Sequence, residues 1–421
     1  MSIRSSAGAR SEESKSSSHD TNVVPDAGTI SAEKALTVLI VVPTLDAGAA
    51  EAGAAELVRI LAGAGHHPIV VARGGRMESE IAAAGAEFIR LDVASKNPAV
   101  ILRNALALAR LIRARRCDVI HAHGRAPAWS AYIASRLTRA PLLTSWYKGF
   151  REQNPLKRLY NGIMVLGHRV VAASDELAEL IHDRYGTPWD RIVVVPASVD
   201  VEKFDPAAVS PERIAAMRRA WGAAPDTKVI LVLGRMLRRK GHHVMLLAAQ
   251  RLKAMGLQDF ICVFEDLGAT RYAAELWDLV LATNTADVVR MAGPAEDRPA
   301  VYAAATVAVS AAIQPEGVQR AVLEAQAMAC PVLVSDLGAG PEVVLAPPAV
   351  PEERMTGLRF STGNDAALAA GLIRLFSMPD QARRGIGARG REWVTAQFTP
   401  SLVAERMLRL YGDVVKQARR V

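Results

Sequence analysis

Along the chain, short unbroken apolar runs alternate with longer stretches in which apolar residues return every three or four positions. The runs Val38-Leu-Ile-Val-Val42, Pro68-Ile-Val-Val-Ala72, Val229-Ile-Leu-Val-Leu233, Phe260-Ile-Cys-Val-Phe264 and Val332-Leu-Val334 read as strands buried on both faces, and the stretches between them as amphipathic helices. This alternation from about Leu36 onward predicts an α/β fold with parallel sheets. Two stacked Rossmann-like domains are expected, over residues 36–200 and 201–395, with a terminal helix in 396–421. A glycine-rich turn from Asp46 to Gly53 is expected to lead into a helix over Ala54–Ala64. Another helix is expected over Arg320–Ala329, closed by Pro331. The chain has 421 residues, half of them hydrophobic, which suffices for two separate cores.

Residues 1–35 differ in kind. Met1 to Asp26 is rich in serine and nearly devoid of apolar residues, so it buries too little to offset the entropy of ordering and is expected to be a disordered tail. It lacks the apolar stretch of a secretory signal, and no apolar run elsewhere is long enough for a bilayer, which predicts a cytoplasmic protein. Cys117, Cys262 and Cys330 stand alone and read as buried free thiols.

The charge is uneven. The whole chain carries +8, whereas Pro98 to Val170 alone holds thirteen Lys and Arg against two acidic residues. Arg103, Arg110, Arg113, Arg115 and Arg116 come late on an apolar helix, and Lys148, Arg151, Lys157 and Arg158 follow in a loop and helix start. Such a concentration fits an anionic membrane surface, on which the protein would sit peripherally, or a phosphorylated glycolipid. A merely solvated face is the competing reading. Nucleic acid is not expected, because no binding motif or interleaved aromatic residues accompany the charge.

Candidate chemistry is densest between Gln314 and Asp336. Glu316 falls in a loop at a helix start and Glu324 on the helix itself. A helix N-terminus attracts anions, and a carboxylate beside it grips the hydroxyls that accompany a phosphate. The alternative is two solvated glutamates. Earlier, a strand ends at Gly234, and Arg235 and Lys240 project from the following turn, where two cations neutralise a diphosphate leaving group; Arg238 and Arg239 read as solvated. In the first half, Gly48 and Gly53 permit close approach of a ligand or a backbone. The segment Cys117 to Ser130 carries His121, His123 and Arg125. Two histidines sharing a strand face fall short of a metal set, with no further ligand spaced to complete it, and His121 reads as a satisfied structural histidine.

Taken in order and register, Glu316 and Glu324 with their flanks, the Gly-Arg-x4-Lys-Gly run from Gly234 and the Val119–Ser130 segment resemble the family-4 retaining glycosyltransferases. Within that family the chain is nearest to bacterial enzymes that build lipopolysaccharide core. The resemblance implies a GT-B fold whose terminal helix, beginning near Phe398, crosses back onto the N-terminal domain. It implies a hexose donated by a nucleotide-diphosphate sugar and accepted by a glycolipid or polysaccharide, without cofactor or metal. Arg235 and Lys240 would hold the diphosphate, Glu324 the ribose and Glu316 the sugar, with Gly48, Gly234 and Gly317 bordering the donor and His123, Arg125 and Tyr147 on the acceptor side. Four positions depart from the family pattern: Tyr147 replaces a histidine, Ala197-Ser198 an Arg-Gly pair, Glu265 a glycine and Val318-Gln319 a Phe-Gly pair. They leave open a degenerate relative acting as a binding or assembly subunit, and, third, a nucleotide-sugar epimerase of the same fold.

Overall fold

Runs of Val, Ile and Leu form strands here because branched side chains pack well on a pleated surface covered on both sides. The computed structural model describes residues 34–46, 48–147, 149, 154–265, 270–293 and 295–420. The Ser-rich segment up to residue 33, Lys148, Arg151 and the Asp266–Gly268 stretch lie outside the described residues. From Leu36 onward the chain forms one unit built on two sheets. The first contains β1 (Thr37–Val41), β2 (His67–Ala72), β3 (Glu87–Arg90), β4 (Val119–His123), β5 (Leu142–Trp146), β6 (Arg169–Ala172) and β7 (Ile192–Val194), in the spatial order β3-β2-β1-β4-β5-β6-β7. The second contains β8 (Lys228–Val232), β9 (Phe260–Glu265), β10 (Val289–Ala292), β11 (Val307–Ser310), β12 (Val332–Ser335) and β13 (Leu358–Phe360), ordered β10-β9-β8-β11-β12-β13. All these pairings are parallel.

Both sheets reverse their winding beside their first strand, between β1 and β4 and between β8 and β11. At such a switch point the connections leave in opposite directions, so a crevice opens at the carboxyl ends of the strands. The side chains of β1 alternate between faces as a strand requires. Leu39 and Val41 enter one core layer, Val38 and Ile40 the other. This is the expected GT-B arrangement of two Rossmann-like domains.

The last helix, Pro400–Ala418, returns to the first sheet. Val403, Met407, Leu410, Tyr411, Val414 and Val415 are its buried face, packed in the layer that holds Val38 and Ile40. The Tyr411 hydroxyl lies 2.6 Å from His121 Nδ1, and His121 Nε2 lies 2.8 Å from Ser145 Oγ. His121 is therefore the structural histidine the sequence suggested. Cys117, Cys262 and Cys330 are buried free thiols. Among the described residues, no helix is long and apolar enough to cross a membrane.

One helix differs from its expected start. It spans Ala49–Gly63 rather than beginning at Ala54, because the alanines around Glu51 favour helix strongly enough to carry Gly53 inside it. Glycine is needed there for space: a Cβ on Gly53 would lie 2.4 Å from the Tyr147 hydroxyl oxygen. The helix of the glutamate pair spans Arg320–Ala327.

The contact between Tyr411 and His121 gives a test of how the crossing helix is held. Tyr411→Phe keeps the ring but strands a buried imidazole nitrogen, which costs on the order of 1–3 kcal/mol. The urea midpoint is expected to fall at unchanged slope, and a wild-type midpoint would show that the hydroxyl contributes nothing.

Candidate active site

The two switch points face each other across a cleft of about 820 Å³. Gly48, Gly53, His123, Arg125 and Tyr147 line it from the first half, and Gly234, Arg235, Lys240, Glu316 and Gly317 from the second. The walls come close where a Cβ on Gly317 would lie 2.6 Å from the Tyr147 carbonyl oxygen.

The positive side of the cleft comes from the turn after β8. The strand ends at Val232 rather than at Gly234, residues Arg238–Lys240 make a 3-10 turn, and Gly241 leads into the helix His242–Ala254. Lys240 is not the exposed turn residue it resembles in sequence, for its side chain is only 14% exposed and its ammonium pairs with Glu316. The same ammonium lies 3.3 Å from Gln319 Oε1, which in turn accepts from Ser310 Oγ at 2.9 Å. Arg239, expected to be solvated, instead reaches into the cleft and pairs with the other Glu316 oxygen. The short turn points successive side chains in different directions, and only Arg238 turns outward, to Glu275. Arg235 is exposed at the cleft wall, with no ion pair among the described residues. Two cations thus converge on one carboxylate, with Arg235 lining the same cleft.

Glu324 is not brought into the same cavity as Glu316. Its Oε2 accepts from the Tyr302 hydroxyl at 2.6 Å and lies 3.5 Å from Arg298 Nη2. Arg298 Nη1 lies 2.7 Å from both oxygens of Glu265, and its Nη2 donates to the Tyr302 hydroxyl at 2.7 Å. Burial works against the Arg298 charge, but Tyr302, Glu265 and Glu324 outweigh it and hold the guanidinium well above its usual range. Glu265, a departure from the family pattern, is therefore neutralised by a partner.

On the opposite wall, the Tyr147 hydroxyl lies 2.8 Å from His123 Nδ1. Burial pushes the Tyr147 pKa upward and drives that of His123 down to about 4, so both groups are neutral at pH 7. Arg125 stacks its guanidinium 5.0 Å from the Trp146 ring. Below them, Glu56 accepts from Ser198 and pairs with Arg320, tying the first helix to the start of the helix that bears Glu324. Glu342 accepts from the backbone N–H groups of Asp175 and Glu176 at 2.9 and 2.8 Å, capping the helix Asp175–Tyr185 of the first half from the second.

Sequence reasoning missed Arg239, Gln319, Arg298, Tyr302 and the Glu56–Arg320 pair. For Gln319 a signal existed, since a polar residue replacing glycine beside a glutamate loop needs a partner. For Arg298 and Glu56 no local pattern pointed to partners on distant elements.

Residues 50–203 match the family model described as Glycosyltransferase Family 4, and residues 214–393 that described as Glycosyl transferases group 1. The D-inositol 3-phosphate glycosyltransferase of Kineococcus radiotolerans is 30% identical over 326 residues, covering 72% of this chain and 73% of the relative. A glycosyltransferase structure from Rickettsia africae superposes with a TM-score of 0.82 at 28% identity, covering 91% of this chain and 100% of that one. Anabaena HepE, in complex with UDP-glucose, gives a TM-score of 0.74 at 17% identity, over 90% of this chain and 100% of its own. The chain belongs to the family-4 glycosyltransferases of GT-B fold.

The buried histidines make stability depend on pH. Burial depresses the pKa of His123 and His242 to about 4 and that of His121 well below the usual range. Below about pH 6.5 the unfolded chain takes up protons that the folded one refuses, so this contribution is complete above that pH and is lost on acidification. Each such imidazole contributes up to about 1.4 kcal/mol per pH unit across the window. Glu176 and Glu342, raised by burial and by acidic neighbours, act with the opposite sign, so the informative quantity is a difference. The urea stability of His123→Asn measured at pH 7 and pH 5 is expected to fall less than that of the wild type by about one proton's worth. Equal slopes would contradict the burial account.

Proposed function

We propose that the protein transfers a hexose from a nucleotide-diphosphate sugar, with retention at the anomeric carbon, to a phosphate-bearing glycolipid or polyol at the cytoplasmic face of a membrane. The observation that carries this reading is the pairing of Arg239 and Lys240 with Glu316, beside Arg235 with no ion pair among the described residues, in the cleft between two facing switch points. Three cations against one carboxylate favour a ligand with more than one negative charge. A sugar diphosphate fits, its phosphates competing with Glu316 for the cations and releasing that carboxylate to the sugar hydroxyls. In the step itself the bond from the anomeric carbon to the diphosphate oxygen breaks and one to the acceptor oxygen forms on the same face. The acceptor's proton passes to the departing diphosphate oxygen, and the nucleoside diphosphate leaves. His123, Arg125 and Tyr147 would line the acceptor's approach, and neutral Tyr147, bonded to His123, offers hydrogen bonds rather than charge. The Kineococcus relative's name specifies a phosphorylated polyol. Lipopolysaccharide core remains the acceptor to which the Val119–Ser130 segment points, within the wider class of phosphorylated acceptors.

The test is donor binding followed by turnover. A thermal-shift screen of nucleotide-sugars is expected to give selective stabilisation by one donor. Lys240→Ala is expected to weaken that donor by roughly 1.5–3 kcal/mol, or about 10- to 100-fold, with folding retained. Glu316→Gln is expected to lose turnover far more than stability. An active wild type matched by Glu316→Gln would remove that residue from the mechanism. A wild type inert to every nucleotide-sugar, yet still binding lipid or a protein partner, would favour the assembly-subunit reading that the four departures left open.

The membrane face is proposed on the helix Pro155–Gly162. Leu156 and Leu159 are 77% and 71% exposed, beside Lys157 and Arg158, the latter donating to the Arg184 carbonyl; in the earlier patch Arg115 pairs with Glu87 and Arg113 donates to the Leu137 carbonyl. Exposed leucines next to cations suit an anionic interface. Sedimentation with anionic vesicles is expected to fall by roughly 1 kcal/mol per residue in Lys157→Ser/Arg158→Ser, and to fall also in Leu156→Ser/Leu159→Ser. Wild-type binding that survives high salt and both double substitutions would place the interface elsewhere.

A further inference from the structure

We infer that Arg298 is a positioning residue of the donor site, holding Glu324 so that one carboxylate oxygen faces a ligand's vicinal hydroxyls and sets a preference for ribonucleotides over 2′-deoxyribonucleotides. The inference rests on the donor reading above.

Four side chains from three parts of the second sheet's layer meet here. Glu265 ends β9 and is buried, Arg298 opens the helix Arg298–Ala304, Tyr302 follows one turn later with no exposure, and Glu324 lies on Arg320–Ala327. Arg298 occupies both oxygens of Glu265 with Nη1, while Nη2 serves the Tyr302 hydroxyl and Glu324. Its guanidinium carbon sits 5.2 Å from the centre of the Tyr302 ring. The Tyr302 hydroxyl accepts from Arg298 and donates to Glu324. Every contact that reaches the Glu324 carboxylate from the described residues falls on Oε2, and Oε1 accepts from none of them.

Two carboxylates share one guanidinium, so this cluster carries net negative charge, whereas Arg235, Arg239 and Lys240 leave the Glu316 cluster net positive. A ligand matching both ends carries anionic groups at one and hydroxyl donors at the other, which is the pattern of a nucleoside diphosphate. A carboxylate oxygen left free accepts hydrogen bonds and repels phosphate. Without the guanidinium, Glu265 would be a buried charge lacking its counter-ion and would repel Glu324, turning Oε1 away from its present direction.

The experiment compares UDP, GDP and ADP, each with its 2′-deoxy counterpart, by titration calorimetry on the full chain, with inorganic diphosphate as the control. Wild type is expected to bind one ribonucleotide at least tenfold more tightly than its deoxy form. Arg298→Met is expected to weaken the ribonucleotide about tenfold and to cut the discrimination below threefold, with inorganic diphosphate unaffected. Should that variant misfold around Glu265, Glu265→Ala/Arg298→Met removes both charges and decides the matter. Loss of discrimination in the double variant supports positioning, whereas wild-type discrimination there means that Arg298 only neutralises Glu265 and overturns the inference. Glu324→Gln separates the two levels. If it abolishes discrimination while Arg298→Met and the double variant keep it, the inference fails and the donor reading stands. If Glu324→Gln itself leaves affinity and discrimination intact, or the wild type binds none of the three nucleotides, the donor reading fails at this carboxylate and the inference falls with it.

Discussion

Burial of one face of the last helix is the constraint on which the rest of this structure depends. Two Rossmann-like layers each offer a crevice at a switch point, and a crevice alone holds a ligand weakly. The helix Pro400–Ala418 begins after the second layer is complete and buries Val403, Met407, Leu410, Tyr411, Val414 and Val415 against the first. That apolar seam sets the crevices opposite each other. The bond from Tyr411 to His121 fixes it under β4, two residues from the His123 that lines the cleft. Smaller polar ties add direction to the seam, with Glu56 joined to Arg320 and Glu342 to the helix at Asp175.

With the halves so placed, electrostatics divides the second layer's contribution. Cations converge at Glu316, in the loop before the helix Arg320–Ala327, and carboxylates at Arg298, beside Glu324 on that helix. In neither cluster is a carboxylate without a partner, because each meets a cation or a hydroxyl. The arrangement compensates the buried charge, while Arg235 forms no ion pair and Glu324 Oε1 accepts no hydrogen bond among the described residues.

The four departures from the family pattern are read differently once their neighbours are known. Ser198 donates to Glu56, Glu265 is held by Arg298, Gln319 links Ser310 to Lys240, and Tyr147 meets His123. Gly53 completes the last of these, since only a residue without a side chain leaves room for the tyrosine. Substitutions that look like isolated losses in sequence are thus satisfied groups in the fold. A buried polar group without a partner would have been costly, and these have partners.

The sequence by itself determined the elements and their order. Apolar runs and helical periodicity depend on backbone geometry and local burial, so strands, parallel sheets, two layers and a terminal helix were all legible. Even the error at Ala49 was local, a choice between turn and helix in an alanine-rich stretch whose propensity favours helix. Only the tertiary structure decided which charges meet. Arg239 finds Glu316 across 77 residues, Arg298 finds Glu265 across 33 and Arg320 finds Glu56 across 264. The physical reason is that a side chain's partner is chosen by proximity in space, and strand order and the docking of the last helix bring these residues together where no sequence period does.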